Sequence, residues 1–188
     1  MKIIEATNTL DAFKKAQSLL KQLAKPLDEE LTAEMPLLIV FTKLDTDINL
    51  PIFDGKIFKA TTDYTNLINK NEAFVQQEFD HYANLLVGQV DTIIKYLQQN
   101  PLSKRAIIDV WDDKQRNLQK PAECLVYMVF RETTNGLDMH VHMRANDAKT
   151  KALLNFHIFA AIHHYVAKKI KKNVGIYYHY SNSYHLYK

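Results

Sequence analysis

Apolar residues at Leu10, Phe13, Ala16 (or Gln17), Leu19, Leu20 and Leu23 recur at helical spacing after the capping candidates Asn8 and Thr9. They predict an amphipathic first helix that Pro26 ends. Leu37-Leu38-Ile39-Val40-Phe41 reads as a short buried strand. From Phe74 through Phe79, Tyr82, Leu86, Val90, Ile93 and Leu97 the apolar residues return every three to five positions, which predicts one long helix or two broken at Gly88. Asn100-Pro101 ends that pattern.

The second half is richer in strands: Ala106 to Trp111, Leu125 to Phe130 and Leu137 to Met143. Asn135-Gly136 between the last two predicts a hairpin, because both residue types tolerate positive φ. Leu153 to Ile170 is apolar on more than one side at helical spacing, as a buried helix is. Val174 to Tyr180, aromatic and β-branched, reads as a last strand. With no repeat and no convincing linker, residues 1–188 form one α+β domain with one sheet and a buried central helix.

Composition narrows the class. A chain of 188 residues that is 47% hydrophobic and 24% charged is long and apolar enough for one folded core. No run is apolar enough to span a membrane, and Met1-Lys2-Ile3-Ile4-Glu5 turns acidic too early for a secretion signal, so a cytoplasmic protein is expected. Cys124 stands alone, which excludes an internal disulfide and suits a reducing compartment. The net charge is +3, yet every charged residue from Ala148 onward is a lysine. That end could attract a phosphate-bearing partner, including a nucleic acid, but a solvated helix face accounts for Lys168-Lys169-Ile170-Lys171-Lys172 equally well.

Two motifs dissolve on inspection. Thr42-Lys43-Leu44-Asp45 after a strand has the form of a guanine-recognition loop, but no GxxxxGK phosphate loop precedes it. His140, His142 and Arg144 alternate on one strand and His163-His164 follows on a helix. Their spacing supplies no convergent third or fourth ligand, so no metal is expected.

A longer constellation carries more. Arg144-Ala145-Asn146-Asp147, then Asn155, then His185-Leu186-Tyr187 resembles the substrate-binding half of thymidylate synthase and the related cytidylate hydroxymethylases. Upstream, Asn100-Pro101-Leu102-Ser103-Lys104-Arg105 with the strand ending at Trp111, and Pro121 to Phe130, are similar to further stretches of that family. The likeness runs from Asp91 to Lys188. It implies a thymidylate-synthase-like mixed sheet and a pyrimidine nucleotide as ligand. Arg144 would hold the 5′-phosphate, a dianion suited to a guanidinium. Asn155 would read the base edge, where an amide suits uracil. His185 and Tyr187 would contact the sugar, Asp147 would serve base and folate, and Lys104 and Arg105 would reach the phosphate of a partner subunit in a homodimer.

Departures from the family pattern change the expected chemistry. Aligned on the strand that follows, Ala122 falls at the family's nucleophilic cysteine and Glu123 at its histidine. Cys124 lies two residues on, about 6.6 Å away along an extended strand. The Arg-Thr-Gly loop, the Glu-bearing helix with its Leu-Leu-Trp pattern and the tryptophan pair have no counterpart; Ala145 and Ser183 replace a serine and an aspartate. The sequence given ends one residue after Tyr187, short of the segment that closes over folate. The expectation is a pyrimidine-nucleotide-binding protein of uracil type whose folate-dependent C5 methylation is lost or altered, with no cofactor. Two alternatives stand beside it. One is an active C5 group-transfer or modified-base enzyme using Glu123, Asp147 or Cys124; the other is a non-catalytic assembly protein using the family's dimer surface.

Overall fold

The computed structural model describes residues 1–23, 31–44, 49–111 and 122–187. Pro26, Asp45 and Pro121 therefore lie outside the described residues. The elements are β1 (Lys2–Ala6), α1 (Thr9–Leu23), β2 (Leu31–Phe41), β3 (Ile52–Phe53), β4 (Phe58–Lys59), α2 (Tyr64–Ile68), α3 (Glu72–Gln99), β5 (Ile107–Asp109), β6 (Leu125–Thr133), β7 (Gly136–Asp147), α4 (Ala152–Lys169) and β8 (Val174–Tyr187).

Six strands form one mixed sheet in the order β1-β2-β8-β7-β6-β5, with β1/β2 and β7/β8 parallel and the other neighbours antiparallel. The α+β class with a mixed sheet and buried central helix is what the sequence led us to expect. Alternation along the strands sends Ile39, Phe41, Met128, Phe130, Met139, Val141, Tyr177 and His179 to a fully covered face. Over it lies α4, with α1 and α3 against α4 in turn. From Ala152 through His163 every residue of α4 is buried, as its all-round apolar pattern requires. The opposite sheet face carries Leu38, Val40, Tyr127, Val129, His140, His142, Tyr178 and Tyr180 in exposed or half-buried positions.

Strand boundaries moved most. β1, with five residues, gave no usable period; β2 starts at Leu31 and β8 runs on to Tyr187, because each completes the other's ladder. β7 continues past Met143 to Asp147 beside that longer β8. The β6–β7 hairpin forms as expected, but only Gly136 takes a positive φ (141°), and Asn135 does not. A Cβ on Gly136 would meet the Asn173 carbonyl oxygen at 2.5 Å, which makes glycine obligatory there.

α3 is continuous through Gly88, where an added Cβ would meet nothing within 4 Å and φ is ordinary. Gly88→Ala should therefore stabilise the protein by roughly 0.5–1 kcal/mol, through helix propensity and a less disordered unfolded chain. Chemical denaturation checks this: an unchanged midpoint would contradict an unstrained, open helix surface at that position.

Candidate functional site

A cleft of about 650 Å³ opens where the carboxyl ends of β7 and β8 meet the start of β6, the first turn of α4 and the first half of α3. Arg144, Asp147, Asn155, His185 and Tyr187, expected from sequence to act together, all line it, and so do Ala122, Glu123 and Cys124. Lys104 and Arg105 do not. They are exposed between α3 and β5, away from their own chain's cleft.

A second groove of the same volume lies between α2 and the start of α3. Its Asp63 caps α2 by accepting from Asn66 N (3.2 Å), so that carboxylate already has a structural task. Converging cations, amides and a thiol distinguish the β7–β8 cleft, and it is taken as the candidate site.

Arg144 leaves the edge of β7 with its guanidinium held by main chain: Nε donates to Glu123 O (3.0 Å) and Nη2 to Ala122 O (2.8 Å). Two carbonyls thus fix the plane, and the other N–H groups remain for an anion. Arg144 N also donates to Cys124 O (2.8 Å), which sets Cys124 beside Arg144 just before the β6–β7 ladder begins.

That contact corrects the sequence expectation for Cys124. Residues 122–124 precede β6 and all three line the cleft, so an offset counted along the chain does not remove Cys124 from it. The sulfur-bearing side chain lines the same cleft as Arg144 and Asn155. Burial pushes the thiol's pKa up, opposed by the nearby positive charges of Arg144 and Lys151.

Asp147 departs from a simple ligand role. Its Oδ1 accepts from Lys149 N (2.8 Å) and Thr150 N (3.4 Å), and its Oδ2 from the Thr150 hydroxyl. The carboxylate thereby closes the turn into α4, as aspartate often does at such positions. Asn155, 2% exposed, donates Nδ2 to Asn146 Oδ1 (3.0 Å), and its Oδ1 has no partner among the described residues. His185 Nδ1 lies 3.0 Å from the Ser183 hydroxyl, and its ring meets Tyr187 edge-on at 4.8 Å. Ser183, where the family has aspartate, still orients that imidazole.

Helix α3 supplies side chains that the sequence did not single out. Glu78, His81 and Tyr82 share one helix face at i, i+3 and i+4, and all three line the cleft. The carboxylate of Glu78 is almost fully buried and takes a 2.7 Å ion pair from Lys151 Nζ at the start of α4. His81 Nε2 meets Glu123 Oε2 at 2.9 Å. A carboxylate from a helix therefore does reach the cleft, although no Leu-Leu-Trp pattern announced it. Only the i, i+3, i+4 spacing of polar groups within an apolar stripe could have marked that face.

The His81–Glu123 contact predicts a pH window. Its hydrogen bond raises the His81 pKa above 6.5 and lowers that of Glu123 below 4.5. The folded imidazole holds its proton more tightly than the unfolded chain, so its contribution is full below 6.5 and fades as pH rises through the raised value. The carboxylate contributes above 4.5 and loses that contribution as pH falls through its lowered value. His81→Ala should thus lower Tm most between 4.5 and 6.5 and progressively less in alkali. Partial exposure of the pair limits the effect to under about 1 kcal/mol. A Tm difference that does not shrink as pH rises above 6.5 would show that the pair is not formed in solution.

The histidines weighed as metal ligands are divided by the sheet. His140 stacks on Tyr178 on the open face at 4.4 Å, whereas His163 is buried in α4 with Nε2 2.5 Å from Leu137 O. No three His, Cys, Asp or Glu side chains cluster for a metal among the described residues. Nor is any helix among them long and apolar enough to cross a membrane.

Residues 38–188 match the family model described as thymidylate synthase. This chain belongs to the thymidylate synthase family. The match reaches upstream of Asp91 and takes in α3, whose Glu78 and His81 line the cleft. The "Putative thymidylate synthase" of Methanocaldococcus jannaschii is 31% identical over 141 residues, covering 69% of this chain and 64% of that protein. The bifunctional dihydrofolate reductase-thymidylate synthase of Paramecium tetraurelia is 27% identical over 106 residues, covering 56% and 23%. This thymidylate synthase family chain thus spans less than two thirds of either relative's length. Among solved structures, thermostable thymidylate synthase A from Bacillus subtilis matches over 53% of this chain and 36% of its own, with 22% identity and a TM-score of 0.49.

Proposed function

We propose that this protein binds a pyrimidine deoxynucleotide 5′-monophosphate of uracil type in the β7–β8 cleft, and that Cys124 is placed to add to the base. The carrying observation is convergence: a guanidinium, a buried amide with a free acceptor, a His/Tyr pair and a thiol line one cavity of about 650 Å³. Arg144 receives the phosphate, Asn155 faces the base edge, and His185 and Tyr187 serve the sugar hydroxyl. The thiolate of Cys124 would add to C6, a Michael acceptor conjugated with the C4 carbonyl, and so make C5 nucleophilic. Protonation of C5 by solvent and reversal of the addition would exchange the C5 hydrogen. Transfer of a one-carbon unit to C5 is the synthase reading of that intermediate; the chain's own residues supply the nucleophile and the binding groups.

A quieter second reading has its own support. Burial raises the Cys124 thiol, which disfavours the thiolate in the ligand-free cleft, so the pocket could hold nucleotide without folate-dependent transfer. Thermal shifts with dUMP, dCMP and dTMP test binding, and proton NMR of dUMP in D₂O tests exchange at C5. Stabilisation with exchange supports an active nucleophile; stabilisation alone supports a binder. No shift with any of the three would leave the assembly reading, in which the surface rather than the cleft acts.

The open sheet face is where a second copy would sit in a homodimer. Tyr127, exposed, and Tyr178, Tyr180, Leu38 and Val40, half-buried, form an apolar surface that the described residues leave partly uncovered. In that assembly the exposed Lys104 and Arg105 are the residues available to the partner's phosphate. Sedimentation should give a dimer mass, and a monomer at micromolar concentration would remove this part of the proposal.

A further inference from the structure

Behind Asn155 runs a buried chain of hydrogen bonds that no expectation from the family residues includes. Asn155 Nδ2 donates to Asn146 Oδ1 at 3.0 Å and approaches Met143 Sδ at 3.9 Å. Asn146 Nδ2 lies 3.1 Å from His179 Nε2, and His179 Nδ1 lies 2.7 Å from the Tyr177 hydroxyl. Asn146, His179 and Tyr177 are all within 1% of complete burial. The rings of Phe156, Phe159 and Tyr177 surround His179. Such a cage disfavours the imidazolium, and burial lowers the His179 pKa to about 3.

A neutral imidazole has one N–H and one lone pair, so its tautomer sets the direction of the whole chain. The amide N–H of Asn146 donates to Nε2; the ring proton is then on Nδ1 and is donated to the Tyr177 oxygen. Asn146 consequently turns its carbonyl to Asn155 and takes that residue's Nδ2. What remains for the cleft is Asn155 Oδ1, an acceptor with no partner among the described residues. The second hydrogen of Asn155 Nδ2 lies beside that oxygen, and uracil meets the pair with N3–H and O4, whereas cytosine presents a lone pair at N3 and N4–H₂, the reverse of both.

We infer that Asn146 and His179 are positioning residues that fix the Asn155 amide with its oxygen toward the cleft and so set the preference for uracil over cytosine. This rests on the cleft taking a pyrimidine nucleotide. Were the ring proton on Nε2, every bond would reverse and Asn155 would present N–H, the match for cytosine.

The test compares dUMP and dCMP affinities by calorimetry on the full chain. The parent should favour dUMP by at least ~10-fold, since the wrong base leaves a buried acceptor unpaired. Asn146→Ala should bring the ratio within about 3-fold while dUMP still binds through its phosphate. Asn146→Asp should keep the parental ratio, because a carboxylate accepts from Asn155 Nδ2 while the ring proton moves to Nε2 to meet it. Nitrogen-15 NMR of the parent reads the His179 tautomer directly, whatever the variants' stability, and should report Nδ1–H. An Nε2–H tautomer, a dCMP preference, or an Asn146→Ala ratio equal to the parent's would overturn the inference and leave the nucleotide site standing. Failure of the parent to bind either nucleotide would remove both.

Discussion

Cys124→Ser should abolish exchange of the C5 hydrogen of dUMP while leaving the nucleotide's thermal stabilisation nearly unchanged. The hydroxyl is close in size to the thiol, so the cleft keeps its shape, but an alkoxide is not accessible near neutral pH and addition to C6 stops. A loss of at least about 10³-fold in rate is expected for removing the nucleophile of a covalent mechanism. The thiol itself is held up by burial and relieved by Arg144 and Lys151. The exchange rate of the parent should accordingly keep rising with pH through the ordinary thiol range, as the thiolate fraction grows. Exchange that survives in the serine variant would transfer the chemistry to Glu123 or another group. Absence of exchange in the parent, with binding intact, would favour the binder reading.

Arg144→Ala should remove most nucleotide binding. The guanidinium is presented rigidly by two carbonyls, so little conformational entropy is lost when it meets a phosphate. Charge-assisted hydrogen bonds contribute about 1.5–3 kcal/mol each, and losing a bidentate pair corresponds to a rise in Kd on the order of 100-fold or more. The parental dUMP shift should vanish at concentrations that saturate the parent. Arg144→Lys should restore only part of it, since an ammonium cannot hold both carbonyls and phosphate in one plane. Because Arg144 also ties down Ala122 and Glu123, the alanine variant should lose stability as well, so the shift must be read against each variant's own ligand-free Tm. An undiminished shift would place the phosphate elsewhere, with Lys151 the next cation on the cleft wall.

The sequence has one tryptophan, Trp111, where the family's folate pocket uses a pair, and we propose that the chain takes no folate cofactor. Turnover with tetrahydrofolate and formaldehyde, monitored as dTMP formation, separates methyl transfer from simple C5 exchange. Formation of dTMP would overturn that expectation and make this chain a synthase in the full sense.

How far the sequence reached depended on what each signal measures. Periodicity records which side of an element meets apolar neighbours, and it delivered α1, α3, α4 and the β6–β7 hairpin. The spacing of Arg144, Asn155, His185 and Tyr187 was sufficient to name one cleft, because β7, α4 and β8 follow one another along the chain and carry those residues by short connections. β1 and the ends of β2, β7 and β8 were beyond it, since a strand's length is decided by its partner across the ladder, which can lie more than a hundred residues away. The same non-locality governed the chemistry. Whether Cys124 shared a wall with Arg144 depended on the path of the backbone into β6; Glu78 and His81 came to that wall only because α3 crosses α4. One more decision, the direction in which Asn155 holds its amide, was made by an imidazole twenty-four residues later in the sequence, walled in by aromatic rings. Local pattern named the groups, and packing chose which atoms they show.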